Sequence, residues 1–300
     1  MNLTNILDLA IKAAEKGSTD GGYLVGERLY DTYMTRDEWI AFQNAMPAQA
    51  LAEFGAGSGD ELSEKSGKPP KMASYGSSSR LIYMLSHHKE GFCYEKKLPT
   101  TVGGVANLDG FLDDGHRYVF VEAKCHEPYT TKNVSVSKSY EALYGYINDC
   151  MAGSLEIKMQ PSKCGRYLNV AYFADGERLE HFDMKQMICH LLGIATGILK
   201  GELEQKQIDF IYLFYDPTEL DLPEGAKEAI YAIYERTCYE CNLVDFATLF
   251  RIILAFLSQT KYREVMDDDA LDGVAYTFTF ALTSQELYPL LLDLNFSAEA

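Results

Sequence analysis

The chain has 300 residues, 47% apolar and 24% charged, and carries a formal net charge of −17. That composition excludes a disordered or fibrous chain, and no apolar run reaches the roughly 18 residues of a membrane span. At about 150 residues per domain the length allows two domains or one large one, with enough buried surface to need no disulfides.

In chain order, residues 2–16 predict an amphipathic helix, because Leu3, Ile6, Leu7, Ala10, Ile11 and Ala14 recur at helical spacing. The segment lacks a basic stretch, an apolar stretch and a cleavage site, so it reads as a helix and not a signal peptide. The seven cysteines are irregularly spaced and read as reduced thiols in a cytoplasm. A second helix is predicted over 36–54, opened by Thr35 with Glu38 in the capping-box position. Residues 55–79 are rich in Gly, Ser, Lys and Pro and read as a long loop or linker. A helix follows over 79–89, then three strands at 92–98, 105–112 and 118–124 whose turn-forming breaks imply an antiparallel meander. Further on come a helix at 139–152, a strand at 167–174 and a helix at 184–200 closed by Gly201. The remaining elements are a strand at 208–215, mostly helix over 224–257, a strand at 276–282 and a final helix at 284–293.

The acidity is uneven. Residues 62–167 carry a net +3 and the rest of the chain −20. The overall charge argues against a polyanionic partner, but the mildly basic middle removes the simplest objection to one.

The chemistry concentrates at 107–125. Alternation along a strand puts Tyr118, Phe120, Glu122 and Lys124 on one face and Val119, Val121 and Ala123 on the other. A strand apolar on both faces is a central, buried one. A carboxylate and an ammonium at its end are costly unless paired or bound to a metal. Asp109 lies on the preceding strand, so antiparallel pairing across the short turn brings its carboxylate beside Glu122. Mg²⁺ wants hard oxygen ligands and keeps several waters, and Asp109, Glu122 and the Ala123 carbonyl offer part of such a shell. Lys124 can orient or deprotonate a water and stabilise charge on a phosphate oxygen.

Asp109 followed by Glu122-Ala123-Lys124, in the order helix–strand–strand–strand–helix–strand, resembles the PD-(D/E)xK nuclease superfamily. The resemblance covers about residues 78–215, with 125–183 as an insertion. Leu108 stands where the name motif has Pro, and no acidic residue lies within the 79–89 helix, where many members carry another metal ligand. Glu90 and Glu95 are the nearest substitutes, which leaves the number of metals open. The resemblance implies an α/β fold: a three-layer restriction-endonuclease-like core, a central mixed β-sheet flanked by helices, with helical N- and C-terminal extensions. The division is then 1–77 as extension and basic linker, 78–217 as core and 218–300 as a mostly helical extension packed on it.

The resemblance also implies a Mg²⁺-dependent hydrolase of phosphodiester bonds, with Mn²⁺ able to substitute. Asp109, Glu122, Lys124, Gln186 and His190 are the implied catalytic residues, and Asp109, Glu122 and Ala123 the implied ligands. On the 184–200 helix Gln186, His190, Gly193 and Gly197 form one face and Met184, Ile188, Leu191, Ala195 and Ile198 the other. By resemblance, Gln186 and His190 position a water or a phosphate, and the glycines let the helix approach the sheet. Lys68, Lys71, Ser79, Arg80, Lys132 and Lys138, with Lys65, are the candidate nucleic-acid contacts. The partner expected is nucleic acid, DNA in preference to RNA, with no membrane and with a homodimer allowed. The alternative is a degenerate nuclease fold that binds nucleic acid or serves as a structural module.

Other signals are weaker. Cys238 and Cys241 lack a second pair at zinc-finger spacing, and Asp267–Asp269 lack the order of a calcium loop. The Asp-Gly of NLDGFL also suggests a nucleotidyltransferase or ligase, against which stands Asn107, which cannot form the lysyl adduct, at the position of the nucleophilic lysine.

Overall fold

A computed structural model of the chain describes residues 2–57, 61–130, 134–204, 206–259 and the backbone of 278–283. The N-terminal part runs α1 (Leu3–Lys16), the hairpin β1 (Tyr23–Val25) and β2 (Arg28–Tyr30), α2 (Arg36–Ala45) and α3 (Ala48–Gly55). The centre begins with α4 (Ser78–Ser86), β3 (Cys93–Pro99), β4 (Val105–Asp113) and β5 (Arg117–Lys124). It continues with β6 (Val134–Ser137), α5 (Glu141–Cys150), β7 (Leu155–Pro161), β8 (Tyr167–Ala174) and β9 (Glu177–Arg178). Then come α6 (Met184–Leu199), β10 (Gln207–Phe214), α7 (Glu224–Asn242), α8 (Phe246–Gln259) and β11 (Phe278–Thr283).

Several boundaries differ from the sequence reading for local reasons. The expected 36–54 helix is two helices, because Met46 precedes Pro47 and is held extended, while the Thr35/Glu38 capping box forms as read. The helix after the linker stops at Ser86, short of the expected 89. The linker itself is corrected: Met72, Ala73 and Tyr75 are buried, and Met34, Met72 and Tyr75 donate their N–H groups to Ala73, Glu61 and Thr32. Its Gly and Pro content marked irregular backbone, but the apolar residues among them anchor it. The hairpin β1–β2 and the strands β6, β7 and β9 went unread. Strands of two to four residues, as β1, β2, β6 and β9 are, carry too few positions to show a period. The strand expected at 276–282 is seen as Phe278–Thr283, and the helix expected at 284–293 lies outside the described residues.

The architecture is α/β. Five strands form a mixed sheet in the order β11-β10-β5-β4-β3, antiparallel from β3 to β5 and parallel from β5 to β11. Helices cover both faces. Tyr118, Phe120, Phe210 and Tyr212 pack with residues of α6 and α8, while Val119, Val121, Ile211 and Leu213 pack with residues of α1, α4 and the start of α7. Phe120 and Phe210 are fully buried, each stabilising the fold by about 1.5–3 kcal/mol. The segment read as an insertion builds a second, antiparallel sheet, β6-β8-β7 with β9 on β8, whose inner face joins the α6 core through Ile157, Leu168 and Tyr172. Among the described residues no single helix is long and apolar enough to cross a membrane.

Candidate active site

The central sheet changes character at one row. The β4–β5 ladder runs from Asp113↔Tyr118 to Gly110↔Val121. One residue further, Asp109 replaces a ladder bond with its side chain: Oδ2 accepts the Ala123 N–H at 2.7 Å. Ala106, Leu108 and Phe111 all face the α6 core, which strict alternation forbids, so β4 turns over at Asp109-Gly110. Its neighbour β3 does the same: Cys93 and Leu98 face that core, Tyr94 the other, and between them Glu95 has a φ of +53°. A bulky residue rarely adopts that conformation. Gly110 is required here, since a Cβ would lie 2.4 Å from the Phe92 ring and 3.3 Å from Ile82.

Beyond this row sits a buried knot of polar groups. Glu122 is 1% exposed. Its Oε1 accepts from Lys124 Nζ and Gln186 Nε2, and Lys124 Nζ also donates to Gln186 Oε1 at 2.8 Å. Its Oε2 lies 2.8 Å from His190 Nε2, but outside hydrogen-bond geometry. That oxygen and both ring nitrogens of His190 therefore have no hydrogen-bond partner among the described residues. Such buried polar groups are uncommon and point to a water, an ion or a ligand.

The fold delivers Gln186 and His190 from α6. Asp183 caps the helix by accepting the Gln186 N–H at 3.0 Å. The chain entering the helix is held by Glu240 of α7, whose Oε2 accepts the N–H groups of Glu180, His181 and Phe182 at 3.0, 2.8 and 2.9 Å. Close approach of α6 to the sheet depends on Gly193, where a Cβ would lie 2.6 Å from that of Ala106. Met184, Ile188 and Leu191 are buried in the core.

Charge in the knot is set by burial against neighbours. Burial would raise Glu122, but Lys124 and His190 outweigh it and hold its carboxyl below the ordinary range. Burial would lower Lys124, but Glu122, Glu127 and Asp109 outweigh it, so the ammonium keeps its proton. In this arrangement Lys124 stands as a positive charge beside Glu122. Asp109 is pushed well above the carboxylate range by burial and then by Glu122. Glu95 is raised to about 7 by burial and by the nearby Glu61 and Glu122. Among the described residues no three His, Cys, Asp or Glu side chains form a metal-holding group.

None of the described basic candidates lines the cleft that Lys124 and Gln186 reach. Arg80 and Ser79 are corrected, being 5% and 6% exposed. The Arg80 guanidinium pairs with both oxygens of Glu15 and lies over the Tyr75 ring, so it fastens α1 to α4 instead of meeting a phosphate. Lys71 pairs with Glu61 at 3.5 Å, and Lys68 and Lys65 close a tight turn. Lys138 is exposed beside the second sheet, and Lys132 lies outside the described residues. His126 faces Asp8 of α1, with 3.2 Å between them.

Two members of the knot, Lys124 and Gln186, line a cleft of about 760 Å³ between the second sheet and the start of α6. Lys124 and Gln186 lie at its inner end, and Lys158, Arg178 and Lys185 are exposed on its walls. The sequence reading missed these three. A signal existed: Leu155, Ile157 and Met159 alternate with Glu156, Lys158 and Gln160, the pattern of a half-buried strand. No family model, curated protein or solved structure matches the chain.

Proposed function

We propose that this chain is a metal-dependent nuclease of the PD-(D/E)xK kind, hydrolysing phosphodiester bonds at the Asp109–Glu122–Lys124 row. The observation that carries the reading is the buried knot of Glu122 and Lys124 from β5 with Gln186 and His190 from α6, beside Asp109 on the antiparallel neighbour β4. An antiparallel β3–β4–β5 meander continued by a parallel β10 after α6 supports the restriction-endonuclease-like fold as well.

The residues fit a magnesium ion. Glu122 Oε2 meets only the His190 ring, 2.8 Å away, while Oε1 takes Lys124 and Gln186. Asp109 uses only Oδ2 on Ala123, and an extended residue turns its carbonyl to the same edge as its N–H, which brings the Ala123 oxygen beside Asp109. Mg²⁺ commonly takes one or two carboxylates and fills its shell with water, so three clustered acidic side chains are not needed. Asp109, Glu122 and the Ala123 carbonyl would hold it, and a bound Mg²⁺ or Mn²⁺ supplies a more acidic water and neutralises phosphate charge. Within the chain, Lys124 holds a positive charge where charge grows on the phosphate, and Gln186 fixes both Lys124 and Glu122 in orientation.

The test is cleavage of labelled single- and double-stranded DNA and RNA with Mg²⁺ or Mn²⁺, against a chelator control and Lys124→Ala. Loss of one such donor costs about 10²–10³ in rate. Equal cleavage by wild type and Lys124→Ala would refute this mechanism. Metal binding by titration calorimetry without cleavage of any of the four substrates would leave a nucleic-acid-binding module with a degenerate site.

A further inference from the structure

We propose that the cleft between the second sheet and α6 is a binding channel for single-stranded nucleic acid, gripped by its phosphate backbone. The inference rests on the nuclease reading, because the channel ends at Lys124 and Gln186.

Size argues for a single strand. A volume of 760 Å³ corresponds to a cube of about 9 Å edge, within the roughly 300–1,000 Å³ range of sites for one drug-sized ligand. A duplex whose major groove alone is about 12 Å wide does not enter such a space. A nucleotide or two of one strand does.

Charge argues for phosphate. Against a chain of net −17, the walls carry Lys158, Arg178 and Lys185 exposed, and Lys124 lies at the inner end; Lys158 meets Glu156 at 3.4 Å and Arg178 meets Glu180 at 3.6 Å, exposed pairs that solvent screens and a phosphate can displace. The acidic groups on the lining are Glu180, which faces Arg178, Asp183, which caps α6, and Glu127, which accepts the Cys125 N–H at 2.8 Å and the Ser78 hydroxyl at 3.2 Å. Across the floor, Ser135, Asn169 and Gln160 stand opposite one another in the register of β6, β8 and β7, a row of neutral donors and acceptors suited to phosphate and sugar oxygens.

The aromatic rings argue against base reading. Tyr172, Phe182 and Tyr212 are buried, and Phe173 is covered by Lys158, whose Nζ lies 4.1 Å from the ring centre. The lining thus offers backbone contacts without a free stacking platform. Affinity should be strongly salt-dependent and nearly independent of sequence.

The experiment is fluorescence anisotropy in excess EDTA, so that binding is read without cleavage. The probes are a labelled oligo-dT, a labelled oligo-rU and a labelled duplex. Wild type is compared with the triple variant Lys158→Ala/Arg178→Ala/Lys185→Ala and with Lys163→Ala/Lys200→Ala, whose charges lie off the lining. The replaced side chains are exposed, and circular dichroism verifies folding. Expected are tighter binding of a single strand than of duplex, at least about tenfold weakening in the triple variant only, and a log K against log salt slope shallower by about 2, from 0.7 per lost phosphate contact. The oligo-dT and oligo-rU arms tell DNA from RNA. Duplex bound as tightly as single strand, no binding of either single strand, or a triple variant that binds like wild type would overturn the channel. Absent metal-dependent cleavage with the expected binding pattern would remove the nuclease reading while supporting the channel.

Discussion

Lys124 and Glu122 are a buried pair, and each is kept charged by the other. Removing one partner of such a pair strands the other charge and costs about 3–5 kcal/mol. Lys124→Ala is therefore expected to lower thermal stability in metal-free buffer, since Gln186 and His190 only partly compensate Glu122. Mg²⁺ or Mn²⁺ should then raise Tm more in the variant than in wild type, because the cation replaces the lost positive charge. Thermal melts with and without metal test this, and equal metal shifts in both proteins would refute it. Glu95 yields a pH prediction. Its folded-state pKa, about 7, is above the ordinary 4.5 because of burial and then Glu61 and Glu122, against Lys97 and Lys71. The protonated form is the one folding favours. Its contribution is complete below pH 4.5 and is lost as pH rises through about 7. Glu95→Gln, which cannot ionise, should flatten the stability profile over that window and gain about 1–3 kcal/mol at pH 8, after discounting for solvent screening. Denaturant midpoints at pH 5 and pH 8 measure it, and an unchanged difference between the two would reject the assignment.

At the scale of elements, the site depends on how closely α6 lies on the sheet. Gly193→Ala puts a Cβ 2.6 Å from that of Ala106 and 3.2 Å from that of Leu98. Overpacking of this kind costs about 1–3 kcal/mol, and the helix must rise, carrying Gln186 and His190 away from Glu122. Activity should fall more than stability alone explains. Gly197→Ala, whose nearest neighbour is the flexible tip of Leu203 at 3.0 Å, should be milder. Urea unfolding beside kcat measurements at a temperature where both variants are folded would decide it, and equal effects of the two would refute the close-approach argument. The helical period of α6 was legible in the sequence, because period is a local property. Its partner was not legible: the contact of Gln186 with Glu122 spans 64 residues and passes through the second sheet. Strands shorter than five residues and the packed segment before α4 escaped for the same reason, having too little period to read.

For the whole molecule, net charge of −17 means that the folded state repels itself. Raising ionic strength from about 0.01 M to 0.15 M shortens the Debye length from about 30 Å to about 8 Å, so Tm should rise over this range. Nucleic-acid affinity should fall over the same range, since phosphate contacts release counterions. Differential scanning fluorimetry and anisotropy at matched salt would show opposite slopes, and a Tm that falls with salt would contradict the self-repulsion argument. What the sequence alone determined is what depends on neighbours along the chain: the buried strand, apolar on both faces, ending in Glu122-Ala123-Lys124, the antiparallel partner carrying Asp109, the Thr35/Glu38 cap and the helical period of α6. The tertiary structure decided which charges face solvent and which are spent on one another. Arg80 and Lys158 are both basic residues in chain segments of similar polarity. One is buried against Glu15, 65 residues away, and the other stands exposed on the wall of the cleft. The difference lies in burial, which is set by packing between segments remote in sequence and by the desolvation that packing imposes, and no local pattern encodes it.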